Sequence, residues 1–135
     1  MKNQNEVQVQ TFENLQFGTL RTIEIDGEPW FVGKDVATIL GYAKPENAIA
    51  NHVDEEDKTT TLIRGIGSNY KSRAVVINES GLYSLLFAMQ PQKANHDGVS
   101  DAYPIEVQER IEKLHLFKRW VTSEVLPSIR KTMEG

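Results

Sequence analysis

Between Gly33 and Val53 the chain reads GKDVATILGYAKPENAIANHV, and few local structures satisfy that order. Val36, Ala37, Ile39 and Leu40 recur at three- and four-residue spacing, the period of a helix with one buried face. Asp35 falls in the first turn, where a helix N-terminus favours negative charge. Gly41 is a stop of the C′ type, because a left-handed residue ends a helix and glycine adopts it without steric penalty. Pro45 suits the start of a second helix, whose first turn has no use for the missing N–H. In that second helix Ala48, Ile49, His52 and Val53 share one face, and Glu46, Asn47, Ala50 and Asn51 the other. Two short helices joined by a four-residue, glycine-bearing turn make a helix-turn-helix pattern. The pattern alone does not single out DNA, since many short helical hairpins carry no nucleic acid.

The chain around it is one domain's worth at 135 residues, long enough for a core without metal or disulfide staples. It contains no cysteine, which removes disulfides and thiolate zinc sites. No apolar run nears the ~20 residues of a membrane span, and the first ten residues lack a signal-peptide core. A soluble, cytoplasmic protein is expected. Net charge is −4, which taken whole argues against nonspecific nucleic-acid binding. The charge is unevenly spread, however. Residues 1–57 carry 4 basic and 11 acidic side chains, for −7, whereas residues 110–135 carry 6 basic and 3 acidic, for +3. Residues 58–78 include Lys58, Arg64, Lys71 and Arg73 and no acid. A locally basic element in an acidic protein can meet phosphate, with affinity that falls steeply with salt.

Before the helix pair, Val7, Val9 and Phe12 alternate with polar residues as a half-buried strand does. Leu20, Ile23 and Ile25 form a second strand, and Asp26-Gly27 is a strong type I′ hairpin signal. Residues 28–32 return as a third strand, with Pro29 suggesting a sheet edge. After it, Asp54-Glu55-Glu56-Asp57 lacks the spacing of an EF-hand and reads as a solvated loop. Two β-branched runs, 59–63 and 74–77, flank a glycine-bearing basic tip, which predicts a hairpin resembling the wing of a winged helix-turn-helix. Asn78 is a candidate N-cap for a helix burying Leu82, Leu85, Leu86 and Met89. Residues 90–104, rich in turn formers, predict a surface loop. Finally Val107, Ile111, Leu114, Phe117, Val121 and Val125 predict an amphipathic helix of about 20 residues, ~30 Å long, that Pro127 kinks or restarts.

No paired acid and base, nucleophile elbow or metal-ligand spacing is present. Ser80 lacks flanking glycines at the elbow positions, and His96-Asp97 has no partner histidine at ligand spacing. A binding role without cofactor or metal is expected, rather than an enzyme.

Several blocks then occur in one order: Phe17-Gly18-x-Leu20-Arg21, Trp30-Phe31-Val32-Gly33-x-Asp35-Val36-Ala37-x-x-Leu40-Gly41-Tyr42, His52-Val53, Asn78-Glu79-Ser80-Gly81-Leu82-Tyr83, and the run from Phe117-Lys118-x-Trp120 to Ile129-Arg130. Together they resemble the Bro-N domain, the N-terminal domain of baculovirus BRO proteins and of many phage and prophage antirepressors. The resemblance covers about residues 15–132, leaving residues 1–14 as an N-terminal strand and frayed tail. It implies an α+β fold, with a small antiparallel hairpin sheet, the helix pair and the long C-terminal helix. It also implies a DNA-binding domain of a regulator in a bacterial host cell. The alternative is a module that binds a phage repressor or pairs with itself, without touching DNA. The resemblance supplies no base-contacting residues. From chemistry alone, Lys44 is a candidate for phosphate, and Asn47 and Asn51 for base edges. Arg64, Asn69, Tyr70, Lys71 and Arg73 are candidates on the hairpin.

Overall fold

The computed structural model describes residues 9–64, 71–89 and 104–134, with side chains for all of these but 64 and 132–134. Its centre is a five-stranded antiparallel sheet in the order β1-β2-β3-β5-β4. The strands are β1 (Gln10–Asn14), β2 (Gly18–Ile25), β3 (Glu28–Val32), β4 (Lys58–Arg64) and β5 (Lys71–Asn78). The α+β architecture expected from the sequence is the one observed. Asp26 and Gly27 both take positive φ, 52° and 80°, as a type I′ turn requires. At the β1–β2 turn the Asn14 carboxamide oxygen accepts the backbone N–H groups of Gln16 (2.7 Å) and Phe17 (3.1 Å), an Asx turn.

β3 is the central strand, not an edge. It pairs with β2 on one side and β5 on the other. Pro29 is tolerated there because the ladder to β5 begins one residue later, at Trp30↔Asn78. The missing N–H therefore removes no bond to β5.

One face of the sheet carries the helices α1 (Gly33–Leu40), α2 (Pro45–His52), α3 (Glu79–Met89) and a long C-terminal helix. Leu20, Phe31 and Ile77 from the sheet pack there with Val36, Leu82 and Phe117 in the main core. A smaller layer of Ile23, Val32, Ile63 and Val76 is buried apart from it, with Trp30 packed against it.

Asn78 caps α3 as its sequence suggests, its side-chain oxygen accepting the Gly81 N–H at 2.9 Å. The acidic run before β4 is not wholly solvated. Glu55–Asp57 is a 3-10 turn, and the Asp57 carboxylate accepts from Asn78 Nδ2 and Ser80 Oγ, both at 3.1 Å. An acid there also complements the α3 N-terminus. Ser80 is thus a helix-start residue tied to an aspartate.

The C-terminal helix runs as α4 (Ile105–Trp120), a π turn (Val121–Val125) and α5 (Leu126–Glu134). Pro127 offers no N–H to the carbonyl four residues back, and its ring crowds that carbonyl. The wider turn just before it absorbs the conflict, helped by Thr122 Oγ1, which bonds back to the Lys118 carbonyl at 2.9 Å. Burial of the anticipated apolar stripe begins only at Leu114. Val107 is half-buried and Ile111 is exposed, so the first two turns bury no residue fully. Phe17, from the β1–β2 turn, docks on the buried part: its ring meets Phe117 edge-on at 5.5 Å and stacks on Trp120 at 5.7 Å.

Gly81 shows how closely α3 seats. A Cβ there would lie 3.0 Å from Ile77 Cβ, 3.1 Å from the Asp57 carbonyl oxygen and 3.1 Å from Val53 Cγ1. Gly81→Ala is expected to destabilise the fold by about 1–3 kcal/mol through overpacking, measured by urea unfolding. Unchanged stability would mean that α3 lies farther from the 53–57 segment.

Candidate nucleic-acid interface

The helix pair is set by its ends. Gly41 has φ 99°, its N–H bonds to the Thr38 carbonyl at 3.1 Å, and the Tyr42 N–H reaches the Ala37 carbonyl at 3.0 Å. These are the two bonds of a Schellman motif, which turns the chain sharply out of α1. Pro45 opens α2 as expected, and the Lys44 carbonyl accepts its first helical bond, from Ala48 N–H at 3.0 Å. Tyr42 fixes the turn onto α3 by donating its hydroxyl to the Leu85 carbonyl at 2.8 Å. Burial pushes the Tyr42 phenol pKa up, so the hydroxyl stays a donor. The His52 ring leans on Tyr42, with centroids 5.8 Å apart. His52 itself is exposed, whereas Ala48, Ile49 and Val53 are buried.

α1 is bolted to the sheet by one ion pair. Arg21 on β2 donates Nε to Asp35 Oδ2 and a terminal nitrogen to Oδ1, both at 2.8 Å, and its backbone N–H adds a third bond at 3.0 Å. The two side chains are only 19% and 13% exposed. Hydrogen bonding to Asp35 holds the Arg21 guanidinium above its ordinary pKa, against the opposing effect of burial. Asp35 therefore does more than complement the helix dipole.

Beside this clamp lies a groove of about 530 Å³ between the start of α1, α2 and the β4–β5 ribbon. Ile49 and Ala50 of α2 line it, with Val75 of β5 opposite. Gly33 permits the close approach: a Cβ there would fall 2.8 Å from Ile49 Cδ1 and 3.3 Å from the Val75 carbonyl oxygen. Four cations border the groove, Arg21, Lys34, Lys58 and Arg73, with one acid, Glu46. Arg21 is committed to Asp35. Lys58 is largely held too, 3.4 Å from the Ile49 carbonyl and 3.5 Å from Glu55. Lys34 and Arg73 are exposed, and their side chains make no ion pair or hydrogen bond among the described residues.

The residues singled out from the sequence divide between two surfaces. Lys44, Asn47 and Asn51 follow one another at three- and four-residue spacing on the exposed outer face of α2. Arg73 lines the groove that α2 borders with Glu46 and Ala50. Lys71 is exposed two residues farther along the ribbon, paired in register with Arg64. The Arg64 side chain, Asn69 and Tyr70 lie outside the described residues, as do His96 and Asp97.

Lys34 and Glu46 were not singled out for this surface. Lys34 occupies an unassigned position between two motif residues, yet it carries a signal. A lysine in the first turn of a helix opposes the dipole, so helix stability does not explain it. Among the described residues no group of His, Asp or Glu is placed to hold a metal ion, and no helix is long and apolar enough to cross a membrane.

Comparison with known proteins gives a consistent family. Residues 19–96 match the BRO family, N-terminal domain. Protein 289L of Invertebrate iridescent virus 6, described as Bro-N domain-containing, is 33% identical over 76% of this chain and 24% of its own length. An uncharacterized protein of Haemophilus influenzae is 30% identical over 98% of this chain and 54% of its own length. A second protein of that virus, 201R, also described as Bro-N domain-containing, is 29% identical over 77% of this chain and 24% of its own. The chain thus spans between about a quarter and about half of these relatives. No solved structure matches it.

The Arg21–Asp35 clamp can be measured directly. In a double-mutant cycle of Arg21→Ala and Asp35→Ala, a coupling free energy of about 1–3 kcal/mol is expected from chemical denaturation. A coupling within about 0.3 kcal/mol of zero would show that the pair does not hold α1 to β2.

Proposed function

The chain belongs to the BRO family, N-terminal domain, and from that membership we propose that it binds double-stranded DNA in an antirepressor-type transcriptional regulator of a phage or prophage. The observation that carries this reading is the placement of Arg73. It shares one groove with Glu46, Ile49 and Ala50 of α2, so the basic ribbon and the helix pair stand side by side. A single duplex can then meet both. On this reading the ribbon cations track backbone phosphates, and Lys44 holds another at the start of α2. Asn47 and Asn51, on the outer face of α2, are the side chains able to bond base edges. The ribbon reconciles a net charge of −4 with an anionic partner, because residues 58–78 hold four cations and no acid.

A second reading has its own support. Phe87 on α3 is 75% exposed beside an open hollow lined by His52, Tyr83 and Ser84. An exposed aromatic next to such a hollow suits a protein partner, either a repressor or a second copy of the chain.

Fluorescence anisotropy with a duplex of random sequence separates the two readings. At low salt the duplex is expected to bind with Kd below about 100 μM, the weak limit of ordinary nonspecific DNA affinity. Arg64→Ala, Lys71→Ala and Arg73→Ala together should weaken binding to every sequence and reduce the salt slope by about 3. No binding under these conditions would overturn the DNA reading in favour of the protein partner. An unchanged salt slope in the triple variant would remove the ribbon from the interface.

A further inference from the structure

We infer that the groove between α2 and the β4–β5 ribbon seats a phosphodiester of the nucleic-acid backbone, with Lys34 and Arg73 as its anion-binding pair and Glu46 as an opposing charge. The inference rests on the DNA-binding reading, and assigns to it a residue and a subsite that the helix-pair and ribbon pattern does not contain.

The first support is convergence. Lys34 comes from the first turn of α1 and Arg73 from β5, yet both line the same half-enclosed groove. Of its four cations, these two are exposed and uncommitted among the described residues. Arg21 and Lys58 already serve Asp35 and the end of α2, so a ligand anion would be met by Lys34 and Arg73.

The second support is that Lys34 works against its own helix. The α1 N-terminus has no side-chain cap, and the acid in its first turn, Asp35, is committed to Arg21. A lysine is electrostatically misplaced there unless an anion arrives, and then the ammonium and the helix dipole both favour it.

The third support fixes the kind of ligand. The groove surface between the cations is aliphatic, from Val32, Ile49, Ile63 and Val75, and no aromatic residue lines it. Unstacked bases are held on aromatic faces, so this surface suits sugar and phosphate rather than a flipped base. Glu46, exposed at the rim, repels that phosphate and limits affinity.

Single variants Lys34→Ala, Arg73→Ala and Glu46→Gln, titrated with a random duplex over a salt series, test the seat. Each lost cation should weaken binding about eightfold at 0.1 M salt and lower the salt slope by about 0.9. Glu46→Gln should tighten binding roughly two- to fivefold. The melting temperature of Lys34→Ala should be equal to or slightly above that of the unmodified chain, because a charge opposing the α1 dipole is gone. A structural role for Lys34 would lower it. Amide NMR shifts of Lys34 and Ala50 should respond to duplex, and not to 10 mM inorganic phosphate (about that of a weak-anion control) at matched ionic strength. If the unmodified chain binds duplex while Lys34→Ala and Arg73→Ala keep its affinity and slope, the seat is wrong and the DNA reading survives. If the unmodified chain binds no duplex, both fall. A saturable response to inorganic phosphate alone would reassign the groove to a small free anion and overturn the backbone claim.

Discussion

The pairing of Arg21 with Asp35 sets the position of α1 against the sheet, and with it the helix pair of the proposed interface. β2 and α1 are 14 residues apart along the chain at this contact. Two parallel charge-assisted bonds fix direction as well as distance, which a single lysine contact would not do. α1 leads through the Schellman turn at Gly41 into α2, so the clamp also orients α2. It has an electrostatic consequence too. By neutralising Arg21 inside the groove, it leaves the accessible positive charge to side chains that are free to meet a ligand.

Sheet order places the ribbon where that charge is useful. β3 joins β5 rather than β4, so the chain passes through both short helices and β4 before β5 closes against the centre. α2 then borders β5 across the groove, with Ile49 against Gly33 and near the Val75 carbonyl. A glycine at position 33 is a packing requirement, since a side chain there would push α2 off the ribbon. The local basic surface is thus a product of topology. Residues 34 and 73 are distant in sequence, the first within a stretch of net charge −7, and the fold makes them neighbours across a groove.

Local signals were legible in the sequence and long-range ones were not. The helix stop at Gly41, the start at Pro45, the cap at Asn78 and the turn at Asp26-Gly27 are each written within a few residues, because the physics that decides them is local. Pro29 misled, since an edge is a property of the whole sheet. The proline simply sits one residue outside the β5 ladder. The Arg21–Asp35 pair joins two motifs whose residues are visible but whose contact depends on tertiary packing. The π turn before Pro127 could be foreseen as a disturbance and not in its form. The apolar spacing at Val107 and Ile111 predicts full burial that neither residue attains, because periodicity marks a face and not its partner. For the proposed interface, Arg73 and the α2 residues are chosen from the sequence by residue type alone. Lys34 could be recognised only by noticing a cation where a helix start disfavours one.

The central claim is that the outer face of α2 and the basic ribbon address one duplex at the same time. Photo-cross-linking tests this most directly, with benzophenone groups at positions 47 and 73 of the same chain and a duplex of about 14 bp, little longer than one helical turn. The account predicts a doubly cross-linked adduct of one chain with one duplex. Adducts from position 73 alone, or from the two positions only to separate duplexes, would contradict it.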